Sequence, residues 1–99
     1  MAHATHATLV TFRMDLSREA EQREILQSVI VPGVRSAPGF VSGTWTVDRD
    51  AGESVVLVTF DALDRARDVA DSVSANAPNQ RAAGIELVSL RIVEVIAEA

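Results

Sequence analysis

The sequence predicts one α+β domain whose elements follow the order β-α-β-β-α-β. Short runs rich in β-branched residues alternate with two amphipathic stretches of helical period. Proline and glycine lie between several of these runs and mark where the elements end. At 99 residues the chain has room for a single hydrophobic core, so residues 1–99 are expected to fold as one domain.

The first strand is predicted over residues 7–14 (ATLVTFRM), where β-branched and aromatic residues are frequent. Residues 15–17 suit the start of a helix, and apolar residues then recur at a spacing of three and four. We expect Pro32-Gly33 to interrupt this helix, because proline cannot donate an intrahelical hydrogen bond. Residues 34–37 are left for one further turn before Pro38-Gly39 ends the segment.

A hairpin is predicted next, with strands over residues 40–48 (FVSGTWTVD) and 53–61 (ESVVLVTFD). The intervening residues 49–52 contain an aspartate and a glycine, which suit a tight reversal. The chain is therefore expected to fold back on itself here as two adjacent antiparallel strands.

A second helix is predicted to begin at Asp61, which can cap it, and to place a stripe of small residues against the sheet. Residues 76–79, which include a proline, are expected to end this helix. Residues 80–84 are then expected to form a loop, and residues 85–96 a long closing strand.

With right-handed crossovers, this order gives an antiparallel sheet with strands arranged 4-1-3-2 and both helices on one face, a ferredoxin-like fold. Alternate residues of each strand face the helices. The predicted core consists of Val10, Phe12, Met14, Val41, Trp45, Val47, Val56, Val58, Phe60, Val88, Leu90 and Ile92. The opposite face is mixed in polarity and carries Leu9, Thr11, Arg13, Ser42, Thr44, Thr46, Val55, Leu57, Thr59, Leu87, Ser89, Arg91 and Val93. Such a face suits a partner sheet better than water, so we expect a sheet-to-sheet homodimer.

The composition narrows the classes of function. A formal charge of −5, with nine arginines and no lysine, provides no basic field for a phosphate backbone, so nucleic-acid binding is not expected. The absence of cysteine excludes disulfides, thiolate metal sites and a cysteine nucleophile. No apolar run is long enough to cross a bilayer and the first residues do not resemble a secretory leader, so a cytoplasmic protein without membrane contact is expected.

His3 and His6 have the spacing of a His-x-x-His pair. Residues 1–6 are expected to be flexible or extended, and residues three apart in an extended chain point to opposite faces, so we expect no metal site here. The same two histidines are the only ones, which leaves no serine-histidine-aspartate arrangement for nucleophilic catalysis. Four aspartates of the second helix are interpreted as a solvated face rather than a metal site, namely Asp61, Asp64, Asp68 and Asp71.

The chain resembles the dimeric α/β-barrel superfamily, and within it the antibiotic-biosynthesis-monooxygenase-like domains. The resemblance covers nearly the whole chain and rests on the element order, on residues 37–43 (APGFVSG) before the second strand, and on residues 58–61 (VTFD) before an alanine-rich helix. It implies the ferredoxin-like fold and the homodimer. Members of the superfamily include cofactor-independent oxygenases of quinol-like aromatics, haem-degrading enzymes, isomerases and decarboxylases.

Two hypotheses of function follow. The first is a cofactor-independent monooxygenase that acts on an aromatic or quinol-like compound held between helices and sheet. The second is a non-catalytic ligand-binding or regulatory dimer, in which the chain's own side chains fill the same pocket. The lack of an internal histidine or tyrosine as a general base weakens the first hypothesis, unless the substrate loses its own proton readily.

The candidate pocket residues are Trp45, Phe12, Phe60 and Asn76. Trp45 can stack on a planar ligand, although a large aromatic residue in a strand is also an ordinary core residue. Haem-degrading relatives use a tryptophan with an asparagine on the first strand and a histidine on the second helix. This chain has neither partner, so haem degradation is not expected.

Arg13 and Arg91 lie on the neighbouring first and fourth strands of the predicted sheet. Paired guanidinium groups there could bind a carboxylate or a phenolate. The alternative is an ion pair at the dimer interface with Glu86 or Glu94, which we favour because buried charges are normally paired.

Overall fold

A computed structural model, which describes residues 3–99, confirms the predicted fold. Four antiparallel strands lie in the order β2-β3-β1-β4, which is the predicted arrangement 4-1-3-2. The helices pack on one face of this sheet. The strands are β1 (His6–Met14), β2 (Phe40–Trp45), β3 (Glu53–Phe60) and β4 (Ile85–Glu94). Among the described residues, no helix has the length and the hydropathy that a membrane span requires.

The segment before β1 is held by the sheet from Ala4 onward, whereas residues 1–6 were expected to be flexible. The Thr5 N–H donates to the Phe60 carbonyl at 2.8 Å, and the Thr5 carbonyl accepts from the Val95 N–H at 2.9 Å. Ala4 is buried. These bonds continue the ladders on both sides of β1, so the flexible interpretation is wrong for residues 4–6, and residues 1–2 lie outside the described residues.

The first helical segment, residues 16–35, is continuous, so the predicted interruption at Pro32 is wrong. The Val31 N–H reaches back five residues to the Leu26 carbonyl, which is the bond of a π-helical turn. Pro32 follows in the first turn of the next α-helical stretch, where the altered bonding makes its missing N–H harmless. The segment consists of a 3₁₀ turn (Leu16–Arg18), α1 (Glu19–Ile25), the π turn (Leu26–Ile30) and α2 (Val31–Arg35).

The second helical region consists of α3 (Leu63–Ala75) and α4 (Ala77–Ala82), with only Asn76 between them. Residues 80–84 were expected to be a loop, and this is wrong for residues 80–82. Pro78 lies in the first turn of α4, where its missing N–H has no intrahelical partner in any case, so it starts a new helix after the old one ends.

A β-bulge in β4 changes which of its residues face the helices. Thr11 of β1 pairs with Ser89, but Phe12 pairs with Leu87, so Val88 is an extra residue. Leu87 therefore packs on the core, and Val88 is 46% exposed. The predicted positions of Leu87 and Val88 were wrong, because one inserted residue reverses the alternation.

A second bulge lies in β2, between Phe40 and Ser42. Phe40 packs on the core, while Val41 is only half-buried and lies outside the core cluster. Val47 is exposed, because β2 ends at Trp45. Val41 and Val47 are therefore corrections to the predicted core.

The core lies under α3. Its buried cluster joins β1, β3 and α3, and the fully buried Thr8 hydroxyl donates to the Ala66 carbonyl of α3 at 2.9 Å. This bond satisfies the one polar side chain at that point of the sheet-helix contact. The cluster contains Val10, Val56, Val58, Phe60 and Ala66.

Candidate functional site

A cavity of about 1060 Å³ lies between the sheet, the first helical segment and α3–α4. Its floor is formed by the helix-facing residues of β1, β2 and β3, and it opens to solvent. The first helical segment lies over it without filling it, since Val29 faces the cavity and is still 62% exposed. The large apolar lining residues include Val10, Phe12, Met14, Leu16, Ile25, Leu26, Ile30, Trp45, Val56 and Val58.

Trp45 is placed in this cavity by its own strand. It pairs with Val56 of β3 on the helix-facing side, two residues after Gly43. A Cβ atom at Gly43 would lie 2.9 Å from Cζ3 and 3.0 Å from Cη2 of Trp45. The six-membered ring of the indole therefore occupies the space over residue 43 and lies back along β2, which is possible only because that residue is glycine.

The structure brings three of the four predicted pocket residues to one cavity. Phe12, Trp45 and Asn76 all line it. Phe60 does not, because it is fully buried in the core below. Phe60 faces the helices, as Val56 and Val58 do. It lies at one end of β3, and α3 covers that end.

Arg13 and Arg91 lie on the other face of the sheet, away from the cavity. Arg13 is directly opposite Glu86 in the β1–β4 ladder, and the two side chains form an exposed ion pair of 3.5 Å. Arg91 is opposite Leu9, four residues from Arg13 along β1, which separates the two arginine positions by about 13 Å. The two guanidinium groups therefore do not converge within this chain.

An ion-pair cluster lies at the rim of the cavity, where the β2–β3 hairpin approaches α1. Arg49 binds Glu19 with both terminal nitrogens, at 2.6 and 3.0 Å, and Arg23 Nε donates to the same carboxylate at 2.7 Å. These hydrogen bonds lower the pKa of Glu19 to about 2. The cluster was missed from the sequence, since Arg49 is 30 residues from Glu19.

Four carboxamides line the α4 side of the cavity, and we name them the amide wall: Gln22, Asn76, Asn79 and Gln80. Gln22 is only 4% exposed, and its Nε2 donates to the carbonyls of Asp15 at 2.9 Å and Ala83 at 3.0 Å. It thereby ties the start of the first helical segment to the end of α4. Sequence reasoning missed Gln22. A signal was present, because Gln22 precedes Ile25 by three residues and Leu26 by four and therefore lies on the same apolar face of the helix.

The histidines and the helix aspartates form no site. His6 lies in β1, with Nδ1 3.0 Å from the Thr5 hydroxyl. Within residues 3–99, no three histidine, aspartate or glutamate side chains come together as metal ligands would. The aspartates of α3 are exposed, and Asp68 lies 3.9 Å from Arg65 one turn away.

No protein-family model matches the chain, and no curated protein matches it. Solved structures that share its fold include the following three. A monooxygenase from the gene ActVA-Orf6 of Streptomyces coelicolor, in complex with nanaomycin D, is 20% identical with a TM-score of 0.65, over 97% of this chain and 89% of that one. A Deinococcus radiodurans protein assigned as an antibiotic biosynthesis monooxygenase is 15% identical with a TM-score of 0.67, over 95% and 93%. NE2512, of unknown function, from Nitrosomonas europaea, is 17% identical with a TM-score of 0.68, over 97% and 93%.

These likenesses confirm the fold that the sequence resemblance implied. The identities are low, so what they establish is the arrangement of strands and helices. The chemistry of the cavity depends on its own residues.

Proposed function

We propose that the cavity binds a planar, largely apolar aromatic molecule and that the chain is a cofactor-independent monooxygenase acting on it. The observation that carries the proposal is the indole of Trp45, which lies over Gly43 in a cavity of about 1060 Å³. An aromatic ring beside apolar side chains favours a planar partner. Two of the structures that share the fold are a monooxygenase and an assigned monooxygenase, which supports the reaction class.

The reaction can be balanced without a metal or a flavin. A phenol that takes up one dioxygen gives the quinone and one water: one oxygen atom enters the ring, the other leaves as water, and the ring supplies all four electrons. The protein then has to hold the substrate, exclude bulk water and leave space for dioxygen. The apolar lining and the volume of the cavity support the first and third of these needs, and the bound ligand itself has to displace the water, because the cavity opens to solvent.

The substrate has to lose its proton largely without help from the protein. Glu19 is the only carboxylate among the described residues that line the cavity. Its pKa of about 2 and its bonds to two arginines make it a poor proton acceptor at neutral pH. An easily ionised phenol or quinol is therefore the substrate class that fits.

The lack of a free proton acceptor also favours the second candidate, a binding protein without catalysis. The open cavity supports a form of that hypothesis in which a ligand, and not the chain's own side chains, occupies the pocket. What separates the two candidates is whether dioxygen is consumed once a phenol is bound.

The test uses Trp45 as its own reporter, because the chain has one tryptophan and no tyrosine. We expect 1,5-dihydroxynaphthalene to quench Trp45 emission under argon. When air is admitted, each molecule is expected to consume one dioxygen and to give the hydroxynaphthoquinone and one water. Quenching without oxygen uptake beyond a protein-free control would support the binding protein. No quenching up to millimolar probe would overturn both candidates.

We also propose that the open face of the sheet pairs with a second copy of the chain. On that face Val55 and Leu57 are 39% and 42% exposed, and Leu9 of β1 pairs with Leu57. Val93 lies on the same face of β4, the strand beyond β1. Contiguous apolar positions on a sheet are seldom left to water. Native mass spectrometry at micromolar concentration is expected to give twice the chain mass, and a monomer would overturn the pairing.

A further inference from the structure

We propose that the amide wall is a subsite for hydrogen-bond donors, so that the ligand carries hydroxyl or N–H groups on the edge that meets α4. This inference rests on the proposed function, because it assigns one edge of a ligand in the same cavity. It concerns the polar end of that cavity, whereas Trp45 and its neighbours form the apolar end.

Gln22 fixes the chemistry of one part of the wall. Both of its N–H groups are taken by main-chain carbonyls, of Asp15 and of Ala83. Turning the amide over would place its oxygen against those two carbonyl oxygens, so its orientation is determined. The remaining atom, Oε1, is buried and accepts no hydrogen bond from any described residue.

Gln80 repeats the pattern on α4. Its Nε2 donates to the Val73 carbonyl at 2.9 Å, and its Oε1 is buried without a partner among the described residues. Gln80 and Ala83 are one helical turn apart, so the amide that binds Ala83 and the amide of Gln80 belong to the same end of the cavity. Beside them, Asn79 Nδ2 is taken by Asn76 Oδ1 at 2.8 Å.

The two glutamines of the wall therefore donate to main-chain carbonyls, and each keeps a buried Oε1 without a partner among the described residues. A buried acceptor without a partner costs about 1–3 kcal/mol. A ligand O–H or N–H would satisfy such an oxygen, whereas a ligand carbonyl or carboxylate would place acceptor against acceptor. At these two glutamine oxygens the wall accordingly favours an uncharged donor on the ligand.

Binding has to include a small shift of the wall, because both oxygens are closed off from bulk water in this conformation. Gln80 is the side chain that can make it. A single hydrogen bond tethers Gln80, while two hold Gln22. Gln80 is therefore the residue whose replacement reports on the subsite.

The experiment compares 1,5-dihydroxynaphthalene with its dimethyl ether, in which methyl groups replace the two O–H donors, by quenching of Trp45 under argon. We expect the diol to bind about 3- to 10-fold more tightly than the ether, the value of one net hydrogen bond. Gln80→Met should remove most of this difference by weakening the diol alone. Arg81→Met, at the next position of α4 and outside the cavity, should leave both affinities unchanged.

The outcomes separate this inference from the proposed function. Equal affinity of the two probes, or an equal loss for both in Gln80→Met, would overturn the donor subsite and leave aromatic binding standing. Failure of both probes to bind would overturn the proposed function together with the subsite. A thermal melt checks that Gln80→Met is folded, and if it is not, the comparison of the two probes on the unaltered chain decides the question.

Discussion

Two helical layers cover the same face of the sheet in different ways. α3 places the small side chains of Ala66 and Ala70 against β1, β3 and β4, and both are buried. The first helical segment instead presents long apolar side chains, and Ile25 and Val29 remain partly in solvent. Small residues allow a helix to approach the sheet and close the core, while long residues on a helix that stays further away enclose a cavity.

The two helical layers also differ in how they are attached to the rest of the fold. α3 is joined to the sheet by a dry core and by the buried bond from Thr8 to Ala66. The first helical segment is joined at its edges through Gln22 to α4 and through Glu19 to the hairpin, and only its last part, α2, packs Val34 against the core. The part of the fold that carries stability and the part that leaves room for a ligand are therefore different elements.

The largest expected effect tests this division directly. Phe60→Ala on the closed side should lower the free energy of unfolding by about 3–5 kcal/mol, because it opens a cavity in a fully buried cluster. Ile25→Ala on the open side should cost less than about 1 kcal/mol, because its side chain is already partly in solvent. Urea unfolding followed by circular dichroism measures both, and similar losses would contradict the division.

A smaller effect is expected at two glycines, one on each side of the cavity. Gly43→Ala should force the indole of Trp45 off β2, since the added Cβ would meet its ring at 2.9 Å. We expect a shifted Trp45 emission maximum and a loss of about 1–3 kcal/mol from overpacking. Gly33→Ala is the matched control: its Cβ meets nothing within 4 Å, and alanine favours the helix by about 0.5–1 kcal/mol. An unchanged emission spectrum in Gly43→Ala would show that glycine is not what positions the indole.

The sequence was sufficient for the element order, the sheet order and the closed side, because these depend on periodicity and on right-handed crossovers. The prediction of which residues face the core failed where one inserted residue reverses the alternation of a strand. The bulge at Val88 exchanged that residue with Leu87, and nothing in a run of alternating aliphatic residues marks such an insertion. Pro32 was misjudged for a similar reason, because a π turn is defined by hydrogen bonding and has no composition of its own.

The sequence predicted the apolar half of the candidate site and only one residue of its polar half, Asn76. Trp45 and Phe12 were found because aromatic residues in strands are conspicuous, and their strand positions place them on the cavity floor. The amide wall depends on which carbonyls are left free where the first helical segment meets the end of α4. The pairing of Glu19 with Arg49 likewise joins residues far apart in the chain.

The smallest expected effect concerns the rim of the cavity, and it appears in acid. Folding lowers the pKa of Glu19 from 4.5 to about 2, through its hydrogen bonds to Arg49 and Arg23. A lowered carboxylate pKa contributes stability that is complete above about pH 4.5 and is lost as the pH falls toward 2. The melting temperature should therefore fall more steeply over this range in the unaltered chain than in Glu19→Gln, and less so at high salt because the pair is partly exposed.

Glu21→Gln is the matched control for this prediction, because the ion pair of Glu21 is with Arg18 on the same helical segment and fastens nothing to the hairpin. Its melting temperature should follow that of the unaltered chain through the acid range. If Glu19→Gln also follows that curve, the rim ion pairs do not hold the first helical segment to the hairpin. The open side would then depend on the hydrogen bonds of Gln22 and on the packing of α2 against β2 and the core.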